Sequence, residues 1–126
     1  MHPDRFAPQM LSVLRIVAGL LFFLHGPQKL FGFPPSSRPA PGLFSIYGAA
    51  GVLELIGGAL LLVGFFTRPV AFVMSGFMAV AYFMAHAPRS FWPTSNGGDA
   101  AILFCFVFLY IVFAGPGPWS LDARKR

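Results

Sequence analysis

Charge is scarce in this chain. Only 10% of its 126 residues are Asp, Glu, Lys or Arg, where an ordinary soluble domain carries about a quarter. With 56% apolar residues and a mean hydropathy of +0.71, the composition argues against a water-soluble globule. The few charges sum to +5, yet they are scattered, and the one basic run is Arg124-Lys125-Arg126. That scatter offers no nucleic-acid-binding face, and a basic run beside apolar segments is a membrane-side signature. Cysteine is almost absent: Cys105 stands alone. It therefore excludes an internal disulfide, a Cys-x-x-Cys redox pair and a thiolate metal site, so the chain does not run thiol–disulfide chemistry by itself. A signal-peptidase site is missing too, because His25-Gly26-Pro27-Gln28 follows the first apolar run where small-x-small residues would be needed. That run reads as a retained helix.

What the chain does contain is four apolar stretches, residues 10–31, 43–66, 68–87 and 99–114, each approaching the ~20 residues that cross a bilayer. Their punctuation is strong. The linker 33–42 holds four prolines and a glycine and is incompatible with continued helix. Thr67-Arg68-Pro69 makes a short break with a proline suited to a first helical turn, and Asn96 or Asp99 is placed to cap the last helix. Gly115-Pro116-Gly117-Pro118 ends it. The expected fold is an all-α membrane protein, a single domain over 1–126, with four transmembrane helices in an up-down bundle with a polar interior. Arg5, Arg68, Arg124, Lys125 and Arg126 outnumber Lys29, Arg38 and Arg89 on the opposite side, which places both termini in the cytoplasm. An echo between Leu21-Phe22-Phe23-Leu24-His25-Gly26-Pro27 and Tyr82-Phe83-Met84-Ala85-His86-Ala87-Pro88 suggests a two-plus-two construction.

Ionisable groups inside a membrane are costly, turn inward and find partners, so their positions carry the most information. At 3.6 residues per turn, Arg15, Ala18, Gly19, Phe22, His25, Gly26 and Lys29 share one face of the first helix. Tyr47, Ala50, Gly51, Glu54, Gly57 and Gly58 share one face of the second. The third offers Ser75, Ala79, Tyr82 and His86, and the fourth Asp99, Leu103, Phe106 and Tyr110. Counting from His25, Leu43, His86 and Asp99 as the outer boundary puts Arg15, Glu54, Ser75 and Tyr110 ~15–17 Å deep. The expected core is then an Arg15–Glu54 ion pair with Tyr110 hydrogen-bonding nearby. Its rival is a pair that only fixes helix register, or an Arg15 that snorkels to the cytoplasmic face. Above it, His25, Gln28, Lys29, His86, Asn96 and Asp99 form a polar vestibule. Histidines at helix ends also serve simply as interfacial hydrogen-bonding groups, and no flavin, haem or metal motif is present. Trp92 and Trp119 fit interfacial aromatic belts, and Cys105 reads as a packing residue.

The pattern Leu14-Arg15, Gly19, Phe23-Leu24-His25-Gly26, Lys29-Leu30-Phe31-Gly32, Gly51, Leu53-Glu54-Leu55-Ile56-Gly57-Gly58, Gly64 and Thr67-Arg68-Pro69 resembles the DoxX family of small bacterial integral membrane proteins. So do Met78-Ala79, Ala81-Tyr82-Phe83, His86, Asn96-Gly97-Gly98-Asp99 and the stretch from Gly115 to Asp122. The resemblance implies a multi-pass protein of the bacterial inner membrane. It also implies similarity to a subunit of thiosulfate–quinone oxidoreductase and to membrane partners in oxidative-stress complexes handling thiols and sulfur.

On that basis the first functional expectation is a redox-associated protein holding a quinone in the outer half of the bundle. Its candidate cofactor-binding residues are His25, Lys29, Tyr82, His86 and Asn96. The candidate catalytic residues are Arg15, His25, Glu54, His86 and Asp99, with the histidines and Tyr82 as hydrogen-bond donors and Glu54 and Asp99 as proton relays. Electrons must come from a protein partner or a soluble donor. The alternative is a non-catalytic scaffold or assembly subunit that recruits soluble enzymes through its basic tail. Transport of a small anion ranks last, because four helices leave room for a pathway only in a homo-oligomer.

Overall fold

The computed structural model describes residues 2–31 and 46–124, and every regular element among them is helical. The linker 33–42 with Arg38, and Lys125 and Arg126, lie outside the described residues, as does the side chain of Tyr47. Helix α1 spans Ala7–Phe31, α2 Ile46–Val63, α3 Thr67–Ala81, α4 Pro93–Asn96, α5 Asp99–Ala114 and α6 Leu121–Arg124. Two helical runs, Pro3–Phe31 and Thr67–Arg89, are long and apolar enough to cross a membrane, and Gly48–Val63 and Asp99–Ala114 are shorter apolar helices. The four expected stretches are thus helical, two of them shorter than a full span.

Apolar residues such as Phe22, Leu61, Phe108 and Ile111 form the core, yet the distribution of side chains departs from that of a soluble fold in two respects. Ser12, Arg15, Glu54, Thr67, Ser75 and Asn96 are buried, while Val17, Leu21, Ile56, Phe72, Val80, Leu103 and Phe113 are exposed. Hydrocarbon is the solvent that makes this arrangement favourable, since it solvates leucine and excludes unpaired charge.

The chain divides into two compact units. The first holds α1, α2 and the segment from Pro116 onward; the second is Thr67–Gly115. In the first, α1 and α2 run antiparallel and meet at glycines seven residues apart on each helix: Gly26 faces Gly51, Gly19 faces the backbone of Leu61 and Leu62, and Gly58 faces that of Phe23. A Cβ on Gly58 would lie 2.6 Å from the backbone of Phe23, and one on Gly26 would lie 2.8 Å from Gly51 O. Small residues here let two backbones touch, which is how helices gain packing energy in lipid. Gly58→Leu is therefore expected to lower thermal stability in detergent by about 3 kcal/mol through overpacking. Gly76→Leu, at a position where an added Cβ meets nothing within 4 Å, serves as the control and should leave the melting temperature nearly unchanged.

Helix α2 stops three residues earlier than the sequence suggests, because Gly64 turns left-handed at φ +73° and Phe66 follows at φ +51°. Asp122 secures this turn: its backbone N–H donates to Gly64 O at 2.9 Å, and its carboxylate accepts the Phe66 N–H at 2.9 Å.

In the second unit α3 and α5 are antiparallel. The Ser75 hydroxyl donates to Cys105 O at 2.8 Å, and Arg68 donates to Val112 O and Phe113 O, the last carbonyls of α5, at 2.8 Å each. The N-cap of α5 is Gly98, with no side-chain cap, so the expected capping by Asn96 or Asp99 is corrected: Asn96 bonds the Gly98 N–H one step outside the helix, and Asp99 lies in the first turn. The sequence echo does not extend to conformation. Pro27 lies inside continuous α1, whereas Tyr82–His86 forms a π-helical turn followed by a 3-10 turn at Ala87–Arg89. Pro27 lies four residues before the end of α1, next to Gly26, which packs against Gly51 and Leu55 of α2.

Candidate functional site

Arg15 is 1% exposed and spends its donors on backbone carbonyls. Nε reaches Leu61 O at 2.9 Å, Nη2 reaches Trp119 O at 2.8 Å and Nη1 bonds Pro116 O. Buried Ser12 joins the same cluster, accepting the Trp119 N–H at 3.0 Å. Gly64 admits the guanidinium, since a Cβ there would lie 3.0 Å from Arg15 Cζ. One planar fork thus ties α1 to the end of α2 and to the chain after α5, with charge-assisted bonds that match the geometry of a guanidinium.

Glu54 is 2% exposed and pairs with Lys29, whose ammonium both donates to and neutralises its Oε1. The expected Arg15–Glu54 pair is therefore corrected. Arg15 and Lys29 lie fourteen residues apart on the same face of α1, so periodicity does not distinguish them, and register decides. The glycine contacts set that register by placing Gly26 and Lys29 opposite Gly51. Counting depth from His25 erred because α1 continues to Phe31, six residues or ~9 Å further. Arg15 and Glu54 consequently belong to different levels of the helix pair. His25 stands one turn before Lys29 and is exposed by its accessible surface.

Within the second unit three of the candidate residues come together. Asn96, 1% exposed, donates from its side-chain amide to Tyr82 Oη and to Ser90 O, both at 3.0 Å, while its Oδ1 accepts the Gly98 N–H at 2.8 Å. Its backbone carbonyl lies 3.2 Å from His86 Nδ1. Tyr82 and His86 stand at the two ends of the π-helical turn with their ring centroids 6.3 Å apart and their planes tilted by 31°, and such turns are frequent at functional sites. The left-handed Gly97, φ +75°, and Gly98, where a Cβ would collide with the Tyr82 ring, shape the loop around Asn96. Asp99 is exposed beside this cluster in sequence and makes no part of its hydrogen bonding. Tyr110, 58% exposed, faces outward, so its expected role in the ion-pair layer is corrected.

A carbonyl oxygen only accepts, so the His86–Asn96 bond requires the proton on Nδ1 and leaves the Nε2 lone pair for another partner. The Tyr82 oxygen accepts from Asn96 and keeps its own hydrogen to donate. Together they present one donor and one acceptor. Among the described residues no group of three His, Cys, Asp or Glu is placed to hold a metal ion. Sequence reasoning missed Ser12 and Ser120 as buried hydroxyls and missed the pinning of Pro116 and Trp119 by Arg15. The left-handed glycines at 64 and 117 were the available signal, since such turns demand glycine.

Apolar exteriors around buried, paired charges define a helical membrane protein. The DoxX family model matches residues 10–87. An uncharacterized protein of Haemophilus influenzae is 41% identical over 96% of this chain and 94% of its own length. The chain belongs to the DoxX family. An uncharacterized membrane protein of Mycobacterium tuberculosis is 28% identical over 93% of the chain and 82% of its own length. The inner membrane protein YphA of Escherichia coli is 29% identical over 93% and 91%. No solved structure matches this chain significantly.

Proposed function

We propose that this chain is a redox-associated protein of the bacterial inner membrane, a single multi-pass domain with both termini cytoplasmic, that holds a quinone at Tyr82, His86 and Asn96. The observation that carries this reading is the clamp Asn96 places on the other two residues, which leaves a phenolic O–H and an imidazole lone pair on two half-buried side chains of one turn. That donor set fits a quinone, whose carbonyl oxygens accept hydrogen bonds and whose reduced hydroxyls donate them. A bound quinone would supply two-electron chemistry, taking two electrons from a protein partner or soluble donor and two protons. Tyr82 would donate to one oxygen, His86 Nε2 would accept a proton from a reduced hydroxyl, and Asn96 would fix both rings. The inner-membrane name of the Escherichia coli relative supports the location.

The test is mass spectrometry of the organic extract from detergent-purified protein. Wild type should retain close to one quinone per chain, and Tyr82→Phe/His86→Ala, purified identically and melting at the same temperature, should retain several-fold less. Equal trace amounts in both would overturn the reading in favour of a non-catalytic assembly subunit.

A further inference from the structure

At the end of the first unit lies an open groove of about 450 Å³, and Leu62, Val63, Trp119, Leu121 and Arg124 are among the residues lining it. We infer that this groove is a binding site for an anionic phospholipid, with an acyl chain along Leu62, Val63 and Leu121 and the phosphate at Arg124. Three observations support it. The walls are apolar side chains left exposed, Val63, Trp119 and Leu121 among them, as expected of a surface whose neighbour is lipid. Among the described residues the one charged side chain lining it is a cation, Arg124, which precedes Lys125 and Arg126 in the sequence. Asp122, the nearby carboxylate, stands outside the groove lining, where it accepts the Phe66 N–H. The third is rigidity of the main chain, because Arg15 and Ser12 hold the Trp119 backbone at the groove, and the indole it carries has the amphipathic character favoured at the headgroup level. Juxtamembrane basic clusters attract anionic lipid over neutral lipid through the surface potential. A groove that receives only tails would have no use for a guanidinium in its lining.

Trp92 is the other tryptophan, so Trp92→Phe leaves Trp119 as the one fluorophore of its kind. The variant is reconstituted in phosphatidylcholine vesicles containing equal fractions of either brominated phosphatidylglycerol or brominated phosphatidylcholine, whose bromines quench indole on contact. Quenching of Trp119 should be at least about twofold stronger with the anionic lipid, and the preference should fall sharply in 1 M salt, where the screening length is ~3 Å. Arg124→Gln/Lys125→Gln/Arg126→Gln should abolish it. Equal quenching by the two lipids, or a preference indifferent to salt, overturns the assignment and leaves the groove as ordinary acyl-chain contact. The wild-type tail alone decides this, whatever the insertion efficiency of the triple variant.

Discussion

Arg15→Met should unfold the first unit more readily than any conservative core change, with a loss of about 4 kcal/mol in detergent. The methionine keeps the apolar stem but leaves three backbone carbonyls, Leu61 O, Pro116 O and Trp119 O, without their charged donor, and although Leu61 O keeps the Gly64 N–H and Pro116 O the Ser12 hydroxyl, a hydrogen bond to a charged group is worth about 1.5–3 kcal/mol. Arg15→Lys should recover little, because one ammonium does not reproduce a planar fork serving three directions. The measurement is a thermal melt paired with thiol labelling of Ser120→Cys in a Cys105→Ala background. Ser120 is 6% exposed, and it should become rapidly labelled when Arg15 is replaced. Slow labelling in the Arg15→Met protein would refute the clamp.

The second large effect belongs to Glu54. Removing one member of a buried ion pair typically costs about 3–5 kcal/mol, so Glu54→Gln and Lys29→Met should each destabilise the protein by about 3 kcal/mol. Because α1 and α2 place Lys29 and Glu54 together, the double variant should be much less impaired than the sum of the singles. The corresponding cycle between Glu54 and Arg15 should be additive within about 0.5 kcal/mol, as for residues without shared partners. Coupling between Glu54 and Arg15 in place of Lys29 would reverse the register described for this helix pair.

These two cases show which features are legible in sequence. The four apolar stretches, the ends of α5 and the inward faces of α1 and α2 follow from local rules, so Ala18, Phe22 and Gly26 were assigned to the correct stripe of α1 and are buried, whereas the stripe expected for α5, Asp99, Leu103, Phe106 and Tyr110, is exposed and Ala101, Phe108 and Ile111 are buried in its place. Which cation meets Glu54 is not a local question. Arg15 and Lys29 satisfy the same periodicity, and the choice rests on a sliding coordinate that is fixed by contacts at Gly19, Gly26 and Gly58. At the site, Tyr82, His86 and Asn96 were each singled out, yet the π-helical turn that brings them together has no period that a sequence scan would detect. The clamp on Pro116 and Trp119 was illegible for another reason, since its partners are 101 and 104 residues away from Arg15.

That separation also sets an order of events in biosynthesis. At roughly 5–20 residues per second, the ribosome needs about 5–20 s after Arg15 to deliver Pro116. Throughout that interval the first helix carries a guanidinium in the bilayer with two of its three final acceptors not yet made. The insertion machinery, or the aqueous boundary, must accommodate that charge until translation is nearly finished. A chain truncated before Pro116 keeps α1, α2, α3 and α5 but remains in this waiting state, which makes it a natural target for membrane quality control.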